Sequence, residues 1–186
     1  MSLERRVARI LGGSSCAVAL ALAMASPALG AGNGYSPSET SSKPTSPVGF
    51  SSVVTAKTVG VKGGTLHARV AGGTISITVP KGATKGSLQV AIMKGRDGTI
   101  KRDLPAPLRK HRIIAAFGIE LKRGASAART QKPIVSVFRD KRIPKGAIVV
   151  IYNAKTGKFG KTKLRAAKGA IKIRLRAGES IGILAP

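Results

Sequence analysis

The sequence predicts an all-β fold: an antiparallel β-sandwich of about seven to nine strands, preceded by a signal peptide and a disordered linker. Three observations carry this. Apolar residues alternate with period two rather than recurring at helical spacing, Gly, Pro and Lys-rich punctuation cuts the chain into short segments, and no convincing amphipathic helix is visible.

Residues 1–30 read as the signal peptide. Arg5, Arg6 and Arg9 form a basic n-region, residues 16–25 (CAVALALAMA) an apolar h-region, and small residues follow. Ala28-Leu29-Gly30 gives the preferred cleavage point, after Gly30, and Ala23-Met24-Ala25 an earlier alternative. An uncleaved anchor is disfavoured because the apolar run is about half of the roughly 20 residues that span hydrocarbon. Cys16 is the single cysteine and precedes the apolar stretch, whereas a lipid-attachment cysteine would follow it. Cleavage would therefore leave a chain without disulfide, thiolate nucleophile or cysteine metal ligand. Export without disulfides fits a bacterial envelope, and the Ala, Gly and Arg richness is compatible with a GC-rich genome.

Residues 31–50 are expected to form the linker, since 32–47 (GNGYSPSETSSKPTSP) are dominated by Ser, Thr, Pro and Gly and cannot bury a core. Residues 51–186 are then one domain, long enough for a real core and too short for two. Within it, Ile75, Ile77 and Val79 face one side of a strand and Ser76 and Thr78 the other, and Leu88, Val90 and Ile92 alternate with Gln89 and Ala91. Further strands are expected over 113–121, 134–138, 147–152, 170–176 and 180–184. Residues 153–157 (NAKTG) should close a hairpin on a glycine of positive φ. Residues 123–129 (RGASAAR) leave room for a helix of one or two turns. Pro80 should end ladder pairing, and Gly82 should allow the corner that sends the chain to the second sheet.

Residues 72–83 (GGTISITVPKGA) resemble the opening of the ZU-five type domain of ankyrins, netrin receptors and zonula occludens scaffolds. That family has a Gly-Gly, a strand and a Val/Ile-Pro-x-Gly-Ala corner. Phe117-Gly118-Ile119-Glu120 and residues 132–137 (KPIVSV) resemble its later strand, so the likeness spans 65–137. It implies a sandwich and a non-catalytic interaction module. The export signal, single-domain length and charge of this chain depart from the family and exclude an intracellular scaffold role.

Catalytic constellations are absent from the pattern. Residues 157–162 (GKFGKT) end like a phosphate-binding loop, but the first glycine of that motif would fall at Lys155, and strand rather than helix follows. His67 and His111 are the only histidines, and the acids Asp97, Asp103, Glu120, Asp140 and Glu179 form no pair at a motif spacing. The chain is read as a non-enzyme without a cofactor or metal. A secreted hydrolase of polyanions, working around His67 or His111, is the alternative from another class. With no Trp, two Tyr and four Phe, stacking platforms for sugars or single-stranded bases are scarce.

Charge is the functional signal. Without Arg5, Arg6, Arg9 and Glu4 of the signal, 30 Lys and Arg stand against six Asp and Glu, and residues 141–178 hold 12 cations and no acid. Such an excess speaks to partners, since self-repulsion strains a compact state. In 170–176 (AIKIRLR), alternation turns Ile171, Ile173 and Leu175 inward and lines up Lys172, Arg174 and Arg176 outside, roughly 6.5 to 7 Å apart. Lys155, Lys158, Lys161, Lys163 and Arg165 are expected on an adjacent hairpin, extending the same patch. Solubility and edge protection alone would be served by both charge signs. The expected partner is therefore an anionic wall polymer, an acidic polysaccharide or an anionic lipid surface, with non-specific extracellular nucleic-acid binding as a further alternative. No reading helix supports sequence-specific recognition.

Overall fold

The computed structural model describes Phe50 and residues 52–186, and these form two antiparallel sheets packed as a sandwich. The expected signal peptide and all of the expected linker except Phe50 lie outside the described residues. The strands are β1 (Ser52–Val59), β2 (Gly64–Val70), β3 (Gly73–Val79), β4 (Leu88–Lys94), β5 (Ile113–Arg123), β6 (Ser126–Ala127), β7 (Ile134–Arg139), β8 (Ile148–Asn153), β9 (Lys158–Arg165), β10 (Ala170–Leu175) and β11 (Glu179–Leu184). One sheet runs β1-β4-β5-β11-β8-β9, with the two-residue β6 paired to β5. The other runs β10-β7-β3-β2.

The expected alternation is realised in β3, where Ile75, Ile77 and Val79 are buried and Thr74 and Thr78 exposed. At the corner after β3, Gly82 sits at φ 71°, its N–H donates to the Val61 carbonyl at 2.8 Å, and the Ala83 N–H donates to the Pro80 carbonyl at 3.1 Å. The chain there leaves the four-stranded sheet for the seven-stranded one. The β8–β9 hairpin closes as expected: the Gly157 N–H donates to the Asn153 carbonyl at 2.9 Å, with Gly157 at φ 68°.

Among the described residues there are eleven strands where about seven to nine were expected. β1 and β2 are the unforeseen ones of full length. β1 shows no clean alternation, because most of it is exposed on both faces, Val53 and Val54 included, whereas β2 does alternate, with Leu66 and Val70 buried and His67 and Arg69 exposed. Residues 123–129 hold no helix. β5 continues to Arg123, Gly124 turns at φ 59°, and Ser126–Ala127 pair back as β6. A helix does occur elsewhere, α1 (Asp97–Asp103), followed by a 3-10 turn at Ala106–Leu108. Seven residues are too few to display a helical period, and only Thr99 and Ile100 of α1 are buried.

The main core lies between the sheets and includes Ile77, Leu88, Phe117, Phe138, Val149, Ile173 and Ile183. Phe117 of β5 and Phe138 of β7 stack across the interface with ring centroids 4.9 Å apart. The opposite face of the seven-stranded sheet carries a smaller cluster, in which Phe50, Ile100 and Leu104 pack on Met93, Ala116, Val150, Phe159 and Leu184. That second cover leaves the outer face of the four-stranded sheet as the open broad surface among the described residues.

Candidate anion-binding surface

Register decides which side chains meet on that open face, because directly paired residues of antiparallel strands share a face. His67 of β2 pairs with Ser76 of β3, Ser76 with Val137 of β7, and Val137 with Lys172 of β10. One row further along lie Arg69, Thr74, Arg139 and Ala170, and on the other side lie Thr65, Thr78, Val135 and Arg174. All of these stand opposite in parity to the buried Ile75, Ile77, Ser136, Phe138, Ile171 and Ile173, so they point away from the second sheet.

The face therefore carries Arg69, Arg139, Lys172 and Arg174 around Thr65, Thr74, Ser76 and Thr78, and no carboxylate occurs in these rows. All four cations are exposed. Among the described residues none of them has a side-chain hydrogen bond or ion pair. This is not general for the basic residues: Lys57 donates to the Thr65 carbonyl, Lys132 to the Lys81 carbonyl, and Arg109 to the Leu104 carbonyl. Two adjoining cavities line the face. One, of about 420 Å³, is bounded by His67, Arg69, Thr74, Ser76 and Arg139. The other, of about 520 Å³, extends from Arg69, Thr74 and Arg139 to the β2–β3 turn, Asp140 and Arg142.

The acid nearest in sequence, Asp140, borders the larger of these two cavities but already has a cationic partner. Asp140 follows Arg139 but turns inward, its side chain only 2% exposed, and Arg142 holds it. Arg142 Nε lies 3.0 Å from each carboxylate oxygen, and the Arg142 backbone N–H donates to Oδ1 at 2.9 Å. These bonds hold the Asp140 carboxyl below the usual carboxylate range. The other ion pairs seen here, Arg102–Asp103 at 2.7 Å and Lys122–Glu120 at 2.9 Å, likewise join residues one or two apart.

The eight cations expected from the sequence are all exposed, but they do not form one patch. Lys172 and Arg174 lie on β10 and Arg176 just beyond it, on the four-stranded sheet. Lys158, Lys161, Lys163 and Arg165 lie on β9, and Lys155 in the loop before it, at an edge of the seven-stranded sheet. The expected extension of the patch is thus corrected. Between β9 and β10 the chain crosses from one sheet to the other, through buried Ala166 and Gly169, whose N–H donates to the Ile143 carbonyl at 2.9 Å. Strands consecutive in sequence are therefore in different layers. Arg69 and Arg139 were not foreseen, each being a single cation at a strand end. The signal was present, since both occupy an outward position of an alternating segment, but only the register brings them together.

His67 and His111 do not share a site. His67 stands on the outer face of the four-stranded sheet, and His111 follows the 3-10 turn that packs against the far face of the other sheet, where Leu108 contacts the second cluster. Among the described residues no three His, Cys, Asp or Glu group as metal ligands would. A third cavity, of about 860 Å³, opens beside the β8–β9 hairpin and includes half-buried Glu179 with Ile119, Leu121, Ile151 and Arg129. Burial pushes the Glu179 carboxyl up, against a smaller opposing effect of the Arg129 charge. No helix among the described residues is long and apolar enough to cross a membrane.

No family model matches the chain, and no curated protein matches it.

Proposed function

We propose that the protein is an exported, non-catalytic binding module of the cell envelope that engages polyanions through the outer face of its four-stranded sheet. The carrying observation is Arg139. Cations on β10 could be explained as edge protection, because an edge strand bearing Lys and Arg resists pairing with another chain. Arg139 is on β7, which has neighbours on both sides, and it is exposed with no side-chain partner among the described residues. An unneutralised arginine there has no part in guarding an edge.

Together with Arg69, Lys172 and Arg174, it makes a surface of one sign on a rigid sheet. The resemblance of residues 72–83, 117–120 and 132–137 to ZU-five type domains supports the reading as an interaction module, and the expected signal peptide supports export. The partner class is an anionic wall polymer, acidic polysaccharide or anionic lipid surface, with non-specific duplex DNA as a convenient probe.

The test is a binding titration of the full-length protein against teichoic-type polymer, duplex DNA and anionic vesicles over a range of salt concentrations. On DNA, log affinity should fall linearly with log salt, with a slope of about −0.9 per phosphate neutralised. Replacing Lys172, Arg174 and Arg176 by Ser should make that slope shallower. Binding that ignores salt would remove the proposal.

A further inference from the structure

The cationic face holds one place where charge is organised rather than merely accumulated. Arg69, Thr74 and Arg139 are consecutive in a single cross-strand row, with Thr74 in the middle. Neighbouring strands lie about 4.8 Å apart, so the two arginine backbones stand roughly 10 Å from each other on one face, with a hydroxyl between them. Both arginines and Thr74 line both cavities on this face, of about 420 and 520 Å³. Neither guanidinium is committed to a protein acceptor among the described residues, and the neighbouring carboxylate of Asp140 is buried and held by Arg142.

The backbone beneath the row is fixed. Gly73, beside Thr74, packs so closely that an added Cβ would lie 2.5 Å from the Phe138 ring and 2.6 Å from the Arg139 carbonyl oxygen. Arg142 also donates to the Ala71 carbonyl and so ties the β2–β3 turn to the segment after β7. The two arginines therefore project from a backbone that is braced on both sides.

We infer that Arg69, Thr74 and Arg139 form a discrete oxyanion site that takes a phosphate monoester group. The inference rests on the polyanion reading above and gives it a chemical preference. A guanidinium offers a planar fork of donors that matches phosphate or carboxylate bidentately. A carboxylate has two oxygens and is satisfied by one fork. A phosphate monoester has three strong acceptor oxygens and a charge near −1.5 to −2 at neutral pH, so it can receive two forks and the Thr74 hydroxyl together. Two positive forks facing across a hydroxyl favour that dianion over a singly charged sulfate monoester or acetate. A polymer ending in, or bearing, phosphate monoesters would thereby be held at a defined point, while Lys172 and Arg174 act on the rest of the chain by charge alone.

The experiment follows amide and arginine Nε resonances of the full-length protein during titration with methyl phosphate, methyl sulfate or acetate at constant ionic strength. Methyl phosphate should give saturable shifts centred on Arg69, Thr74 and Arg139, with methyl sulfate weaker and acetate weakest. The Arg69→Lys/Arg139→Lys variant keeps net charge but loses the forks, and should weaken phosphate binding by tenfold or more. Its salt slope on long polyphosphate should remain close to that of the unaltered protein. Equal responses to acetate, shifts spread evenly over Lys172 and the β9 cations, or no effect of the Lys replacements would overturn the site. A normal salt slope in that event would leave the broader polyanion reading standing, whereas loss of salt dependence would take away both.

Discussion

Arg142 holds both carboxylate oxygens of Asp140, two residues before it, while the Asp140 side chain stays only 2% exposed. Removing the arginine side chain leaves a buried carboxylate with only the backbone N–H of residue 142 as donor and no neutralising charge. Arg142→Ala should therefore cost about 2 kcal/mol in urea unfolding at neutral pH, since an orphaned buried polar group costs roughly 1–3 kcal/mol. The Asp140 carboxyl is held low by this contact, so its stabilising contribution is present above the unfolded carboxylate value and is lost as pH falls through the folded value. The difference between the two proteins should accordingly shrink in strong acid.

Glu179 behaves in the opposite sense. Burial raises its carboxyl, so the folded chain binds the proton more readily than the unfolded one. The stability this gives is fully present below the unfolded value, about 4.3, and is lost as pH rises through the folded value. Glu179→Gln should raise the thermal midpoint at neutral pH, with the advantage fading on acidification to about pH 4. A constant advantage across that range would show that desolvation of the carboxylate is not the cause.

The two basic groups differ in number as well as place, which permits a direct contrast. Changing Lys158, Lys161, Lys163 and Arg165 to Ser removes four charges, and Arg139→Ser/Arg174→Ser removes two. If bulk charge governs binding, the quadruple change does more harm. The open sheet face predicts the reverse for a short polyphosphate: several-fold weakening for the double variant and less than twofold for the quadruple one, read by calorimetry.

Gly73 offers a packing test linked to the same surface. Its Cβ would meet the Arg139 carbonyl, which is backbone and cannot swing aside as a long side chain can. Gly73→Ala should destabilise by about 1–3 kcal/mol, the usual range for overpacking. It should also shift the Thr74 and Arg139 resonances more than those of β9.

What could be read in the sequence was whatever one strand states by itself. β3 declares its inward Ile75, Ile77 and Val79, and β10 its outward Lys172 and Arg174, because alternation is a local property. β1 lacks a buried face and so lacks the pattern, and α1 is shorter than two full helical periods. The Arg69–Thr74–Arg139 row is a property of pairing between β2, β3 and β7, which brings together residues far apart in the chain. No local spacing encodes it. The β9 cations were assigned to the wrong layer for a related reason: the short crossing at residues 166–169 has the look of another hairpin turn.

The strand order has a consequence in time as well as in space. β11 follows every other strand in the chain, yet it lies inside the seven-stranded sheet, with β5 on one side and β8 on the other. Until β11 has been synthesised, the β8–β9 hairpin has no place to dock and the sheet stays in two pieces. Such non-local pairing is slow to form. The larger sheet is thus completed only when β11 enters it, so its two halves stay uncoupled until that one strand has paired on both sides.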